Sequence, residues 1–304
     1  MTKYEIASAN SLGADSLSFR IGDIGFTLAS NDSDLSLRIR GATERFLVDN
    51  GDAEVTVQVA WGKLCESVSR DKIFDSGSVW QLYRQQANHL FRFTSPAFGT
   101  LPYKQACFSP DFTTGEVVLH GDYFDRGQGV DALEYPLDEL LMLNLLAQGR
   151  GVEVHACGIE DSDGRGYLFA GQSGAGKTTT ARLWETAGGA QVLSDDRIIL
   201  RCLEGRIWMY GTPWHGEAEL ACSRRTPLAQ VFFLGRGAEN ELVARRPGES
   251  VARLLACSFV PFYSPGGLDF SLGFFQQLTR TVPCGELRFV PDERAVQFVR
   301  EHTE

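Results

Sequence analysis

Gly171-Gln172-Ser173-Gly174-Ala175-Gly176-Lys177-Thr178 has the G-x-x-x-x-G-K-[ST] spacing of a phosphate-binding loop. The chemistry needs these residue types. Glycines let successive backbone N–H groups turn toward one point, and a following helix adds partial positive charge at its N-terminus. Lys177 would reach the outer phosphates of a nucleotide, and the Thr178 hydroxyl would ligate Mg²⁺. Thr179 falls in the same first turn and joins the phosphate-binding set. Arginine carries most of the positive charge and no lysine follows Lys177, which suits a compact ammonium placed among phosphate oxygens.

The elements that must position this loop are legible beside it. Tyr167-Leu168-Phe169-Ala170 reads as a short buried strand, and Thr179 to Glu185 as the first turns of a helix. An ordinary glycine turn capping a helix would share the glycines, but strand, loop and helix together favour the phosphate reading. Upstream, Asp161-Ser162-Asp163-Gly164-Arg165-Gly166 forms a tight turn after Val152 to Ile159. The loop is therefore expected to follow a hairpin, unlike that of a simple parallel βαβ unit.

Asp195-Asp196 is the second constellation. Adjacent carboxylates in an apolar stretch need a cation or hydrogen bonds to compensate them. Mg²⁺ on ATP phosphates is one such cation, with one aspartate serving the metal and the other accepting the proton of an attacking hydroxyl. A turn pair bonded to Arg197 or Arg201 is the structural alternative.

His155, the loop with its Ser173 and Gly174, and the run Leu193-Ser194-Asp195-Asp196 together resemble the HPr kinase/phosphorylase catalytic domain, which shares its fold with phosphoenolpyruvate carboxykinase. The resemblance covers a third to a half of the chain. It implies ATP and Mg²⁺ as cofactors, with Lys177 and the loop amides on the phosphates and Thr178 and Asp196 on the metal. It further implies Asp195 as general base and His155 close to the reacting phosphate. Two features depart from the bifunctional enzyme. Thr178-Thr179 stands where that enzyme has Ser-Glu, and its downstream Leu-Glu-Ile-Arg-Gly signature is absent. The pattern is that of an HPr-kinase-related protein, one that phosphorylates a hydroxyl acceptor on a peptide, a protein or a small metabolite. A nucleotide-responsive binding protein and a plain ATPase are the rivals. Related enzymes often assemble, so a homo-oligomer stays open.

Gly211-Thr212-Pro213-Trp214-His215-Gly216-Glu217 is the third candidate. It reads as a loop that closes over the site, with His215 on phosphate or acceptor and Glu217 supporting the metal. A Trp-anchored structural loop is the equal alternative.

The remaining chain sets the frame. The 304 residues are 43 % hydrophobic and 22 % charged, which suits a globular protein with a sizeable core. A net charge of −10 argues against a general nucleic-acid or anionic-membrane binder. No apolar run is long enough to span a bilayer, and Met1 to Glu5 lacks the form of a signal peptide. Seven cysteines without C-x-x-C pairs are expected as free thiols in a reducing cytoplasm, Cys157 among them as a buried apolar thiol. Residues 1–130 alternate with period two in short runs (Leu17–Ile21, Glu54–Trp61, Ser78–Tyr83, His89–Phe93, Gly115–His120) separated by turns such as Asn50-Gly51-Asp52 and Ser109-Pro110-Asp111. That pattern predicts an accessory β-rich domain, an antiparallel sandwich or open barrel. Residues 131–304 are expected to form the α/β (α+β) P-loop catalytic domain, entered through a leucine-rich helix over Pro136–Gly149.

Overall fold

A computed structural model describes residues 15–49, 52–64, 71–99 and 101–303. The Asn50-Gly51 part of one expected turn, the N-terminal Met1–Glu5 and Cys65 lie outside the described residues. The chain is mixed α/β, with two large sheets and few helices. It divides into two units, Met1–Leu141 and Met142–Glu304. Among the described residues no helix is long and apolar enough to cross a membrane.

The first unit holds β1 (Asp15–Ile21), β2 (Ile24–Ser30), β3 (Val55–Trp61), β4 (Lys72–Asp75), β5 (Trp80–Gln85), β6 (Asn88–Phe93), β7 (Lys104–Phe108) and β8 (Thr114–Leu119). They form one sheet in the order β1-β2-β3-β8-β7-β6-β5-β4, not the expected antiparallel sandwich or barrel. The β2–β3 and β3–β8 pairings are parallel, and the others are antiparallel. Parallel neighbours need long crossovers, which local alternation does not reveal. Strand β3 shows the expected alternation, burying Val55, Val57 and Val59. Lys104 is fully buried; its ammonium lies 3.3 Å from Glu134 Oε1 and 4.9 Å from the centre of the Phe93 ring.

Helix α1 (Leu137–Leu145) carries the chain from one unit to the next. The second unit continues through β9 (Val152–Glu160), β10 (Gly166–Ala170), α2 (Lys177–Ala187), β11 (Gln191–Ser194), β12 (Arg197–Leu203), β13 (Arg206–Tyr210) and β14 (Arg225–Arg236). It ends with β15 (Glu241–Ala244), α3 (Pro247–Ala256), β16 (Ser258–Phe259), α4 (Pro265–Thr281), β17 (Cys284–Phe289) and α5 (Glu293–His302). Strands β9 and β10 form the hairpin that the 161–166 turn predicts. Strand β10 also runs parallel to β14, which runs parallel to β17.

Strand β10 is buried on both faces, so its sequence is a continuous apolar run. Leu168 and Ala170 join a core with Val154, Ile198, Met209, Val231 and Phe275. Tyr167 and Phe169 face the other way, against Ala181 and Trp184 of α2 and Val296 of α5. Trp184 is 1 % exposed, with the Tyr167 and Phe169 rings 5.7 and 6.0 Å away. This packing fixes α2 on the sheet and with it the loop between β10 and α2. Of the seven cysteines, the six that are described are free thiols, and burial pushes the Cys157 thiol pKa up.

Candidate functional site

Strand β10 ends at Ala170, paired with Ala156 of β9, and the loop begins there. Gly174 and Gly176 have φ of +79° and +110°, a region open to glycine and strained for other residues. Gly176 is the N-cap of α2, and no side chain caps that helix. Its first amides are thus left for an external acceptor. Lys177 is buried; its Nζ donates to the carbonyls of Gly171 at 2.9 Å and Gln172 at 3.2 Å. The lysine so ties the first turn of α2 back to the start of the loop. Burial pushes the Lys177 pKa down, aided by the charge of Arg197 and opposed by Cys257, Cys157 and Asp195. Thr178 is half-buried and Thr179 exposed, both in the first turn of α2.

A Cβ on Gly176 would lie 3.2 Å from the Phe289 ring and would force a left-handed non-glycine residue. Gly176→Ala is expected to destabilise the protein by about 1–3 kcal/mol, read as a lowered urea midpoint. Gly174→Ala meets open space. It should show the backbone strain without the contact, and so a smaller drop.

The two aspartates lie in the segment Gln191–Leu200. The chain breaks there into β11 and β12, which pair in succession with β9. Asp195 and Asp196 occupy the irregularity between them, and the Ala156 N–H donates to the Asp196 carbonyl at 2.9 Å. The other edge of β9 pairs Ala156 with Ala170, so the aspartates lie one strand beyond the start of the loop. Breaks of this kind re-aim side chains and recur beside active sites.

The two carboxylates have different surroundings. Asp195 is 1 % exposed; its Oδ1 accepts the Gly216 N–H and its Oδ2 the Ala218 N–H, both at 2.9 Å. It ties the 216–218 turn to the sheet. Asp196 is more open; its Oδ1 lies 2.8 Å from His155 Nε2, and its Oδ2 bonds the Arg197 guanidinium. In the same loop Trp214 is buried, whereas His215 and Glu217 are exposed, and His215 Nδ1–H donates to its neighbour's carbonyl at 3.0 Å.

His155 and Glu153 share a face of β9 with Cys157 and Ile159, which pack beneath α2. Of the three further residues here, Arg197 was named only as the structural partner of the aspartate pair, and it does bond Asp196, whereas Glu153 and Phe259 escaped the sequence reading of the site. Arg197 pairs across from His155, buried Glu153 lies 3.6 Å from Arg197 Nε, and Phe259 of β16 lies under both His155 and Arg197. The alternation Val152-Glu153-Val154-His155 carried a signal for Glu153; Phe259 reaches the site only through tertiary pairing.

Burial, then the charges of Lys177 and Arg197, pushes the His155 pKa down to about 4. At neutral pH the ring is neutral and donates Nε2–H to Asp196. The unfolded chain therefore takes up this proton first as the pH falls. The stabilisation is complete above the ordinary histidine value of 6.5 and is lost as the pH drops toward about 4. Between pH 7 and pH 4.5, wild type should lose about 1–2 kcal/mol more than His155→Gln, allowing for solvent screening. Urea unfolding of both at the two pH values measures this, and equal losses would remove His155 from the account.

No family model matches the chain, and no curated protein matches it. Among solved structures it is similar to the HPr(Ser) kinase/phosphatase from Coxiella burnetii, at 13 % identity, a TM-score of 0.28, and coverage of 49 % of this chain and 90 % of that one. That score is too low to carry any inference about function, which rests instead on the geometry above.

The residues fit a chain of phosphates: an uncapped helix start, left-handed glycines and a buried lysine at one point. For a divalent cation the fit is narrower. Among the described residues, no group of three or more His, Cys, Asp or Glu side chains is placed to hold a metal. Thr178, Asp196 and the phosphates themselves would have to supply the ligands.

Proposed function

We propose that residues 131–304 form an ATP- and Mg²⁺-dependent kinase of the HPr-kinase-like group. It transfers the γ-phosphoryl group to a hydroxyl of a peptide, a protein or a small metabolite. The observation that carries the reading is the Lys177 ammonium bonded back to the Gly171 and Gln172 carbonyls, which holds the loop open as a ready-made cradle. Loop amides from Gln172 to Thr179 and Lys177 bind the phosphates. Thr178 and Asp196 serve Mg²⁺, whose charge, when bound, neutralises the phosphate oxygens.

Asp195 takes the acceptor's proton as the acceptor oxygen bonds to the γ-phosphorus and the β–γ bridging oxygen leaves with ADP. The 216–218 turn covers Asp195, so an acceptor reaches it when that turn moves aside. The exposed His215 and Glu217 then stand at the entrance, where they contact the acceptor or support the metal. His155 lies at the same rim and orients Asp196 through its Nε2–H.

The same tie between Asp195 and the turn favours one second reading: a nucleotide-responsive binding protein, in which phosphates on the loop reposition residues 211–219. Incubation with γ-labelled ATP, Mg²⁺ and cell extract separates the readings. Label in a third molecule is the expected result. Free phosphate alone would mean an ATPase, and intact ATP would leave only the binding protein.

A further inference from the structure

Arg197 is a cation of the site to which the phosphate-loop pattern gives no task. Strand β12 sets it opposite His155, and its guanidinium lies over the Phe259 ring, 4.5 Å from the centroid. Its Nε is 3.6 Å from Oε1 of Glu153, whose side chain is fully buried, and its Nη1 bonds Asp196 Oδ2. Its own side chain is 18 % exposed. Its charge acts on both Lys177 and His155, so it belongs to the electrostatic surroundings of the loop.

Each contact has a consequence. The aromatic face supports the plane of the guanidinium, and Glu153 orients the Nε side. A guanidinium so supported suits a planar, forked interaction with a carboxylate or a phosphate. Asp196 takes that place here. Arg197 lies against the carboxylates of Glu153 and Asp196, and Asp195 acts on Lys177. A triphosphate adds several negative charges, and Lys177 and Arg197 are the cations described at the site.

We propose, building on the nucleotide reading, that Arg197 is the second phosphate-binding cation of the site and distinguishes a nucleoside triphosphate from a diphosphate. Its guanidinium exchanges Asp196 for an oxygen of the outermost phosphate, while Glu153 keeps its orientation. The exchange releases the Asp196 carboxylate only when a triphosphate is present.

The test is calorimetric titration of the full chain with ATP and with ADP, each with Mg²⁺. Arg197 meets the outermost phosphate only in the ATP titration, so the ratio of the two dissociation constants reads its contribution, both directly and through the released Asp196 carboxylate. Wild type is expected to prefer ATP by about tenfold, the scale of one charge-assisted hydrogen bond. Arg197→Gln retains a donor for Asp196 and should bring the ratio to within about twofold of unity, with Arg197→Lys in between. Should Arg197→Gln fail to fold, Arg197→Lys alone must still show a reduced ratio. An unchanged ratio in the variants, or no preference in wild type, would overturn the assignment while leaving nucleotide binding intact. Absence of binding of either nucleotide to wild type would instead overturn the nucleotide reading, and this proposal with it.

Discussion

Lys177→Ala should weaken ATP binding by about ten- to a hundredfold and abolish phosphoryl transfer, because it removes a charge-assisted contact worth roughly 1.5–3 kcal/mol and the ammonium that ties the loop to α2. The fold should survive. Lys177 is a buried cation whose pKa is already pushed down by desolvation, so losing its charge relieves a burden as well as removing bonds to Gly171 and Gln172. Isothermal titration for affinity and thermal unfolding for stability separate these effects. Lys177→Arg keeps the charge but replaces a compact ammonium with a planar fork, which two converging carbonyls do not accommodate, so it should fail almost as completely. Wild-type turnover in either variant would leave the loop without its chemical role.

Asp195→Asn has the second largest expected effect, and it is twofold. The carboxylate accepts from two backbone amides, whereas an Asn side chain offers one acceptor and one donor. One of the Gly216 and Ala218 N–H groups would then face another donor in a buried place, which costs about 1–3 kcal/mol. The melting temperature should fall by several degrees. Turnover per bound ATP should fall by about a hundredfold, the scale of a lost general base. A melting temperature that falls in Asp195→Asn while turnover per bound ATP stays at the wild-type level would mean that Asp195 acts only by holding the turn.

The loop and its flanking elements were legible because local chemistry dictates them. A glycine-rich turn between a buried strand and a helix leaves little choice of backbone, and the Asp161–Gly166 turn announces the hairpin. The fully buried β2 and β7 were missed, β2 although Ile24, Phe26 and Leu28 alternate with smaller residues, and β7 because it opens on the polar Lys104-Gln105. The single mixed sheet of the first unit was missed because its parallel pairings join residues far apart in the chain. At the site, the Asp-Asp pair was visible as a costly arrangement in need of compensation. Part of its compensation, the Arg197 bond to Asp196, was legible as the structural alternative; the amides of residues 216 and 218 on Asp195 and the His155 contact with Asp196 were not. Those contacts depend on the break between β11 and β12 at Asp195-Asp196 and on tertiary pairing.

The central claim is that residues 171–178 receive the phosphates of a nucleotide, and hydrogen–deuterium exchange with and without Mg²⁺-ATP tests it at the level of individual amides. The account predicts slowed exchange of the Gln172 to Thr178 amides, with the 216–218 turn changing alongside them through Asp195. Exchange across the loop that is the same with and without the nucleotide would contradict it.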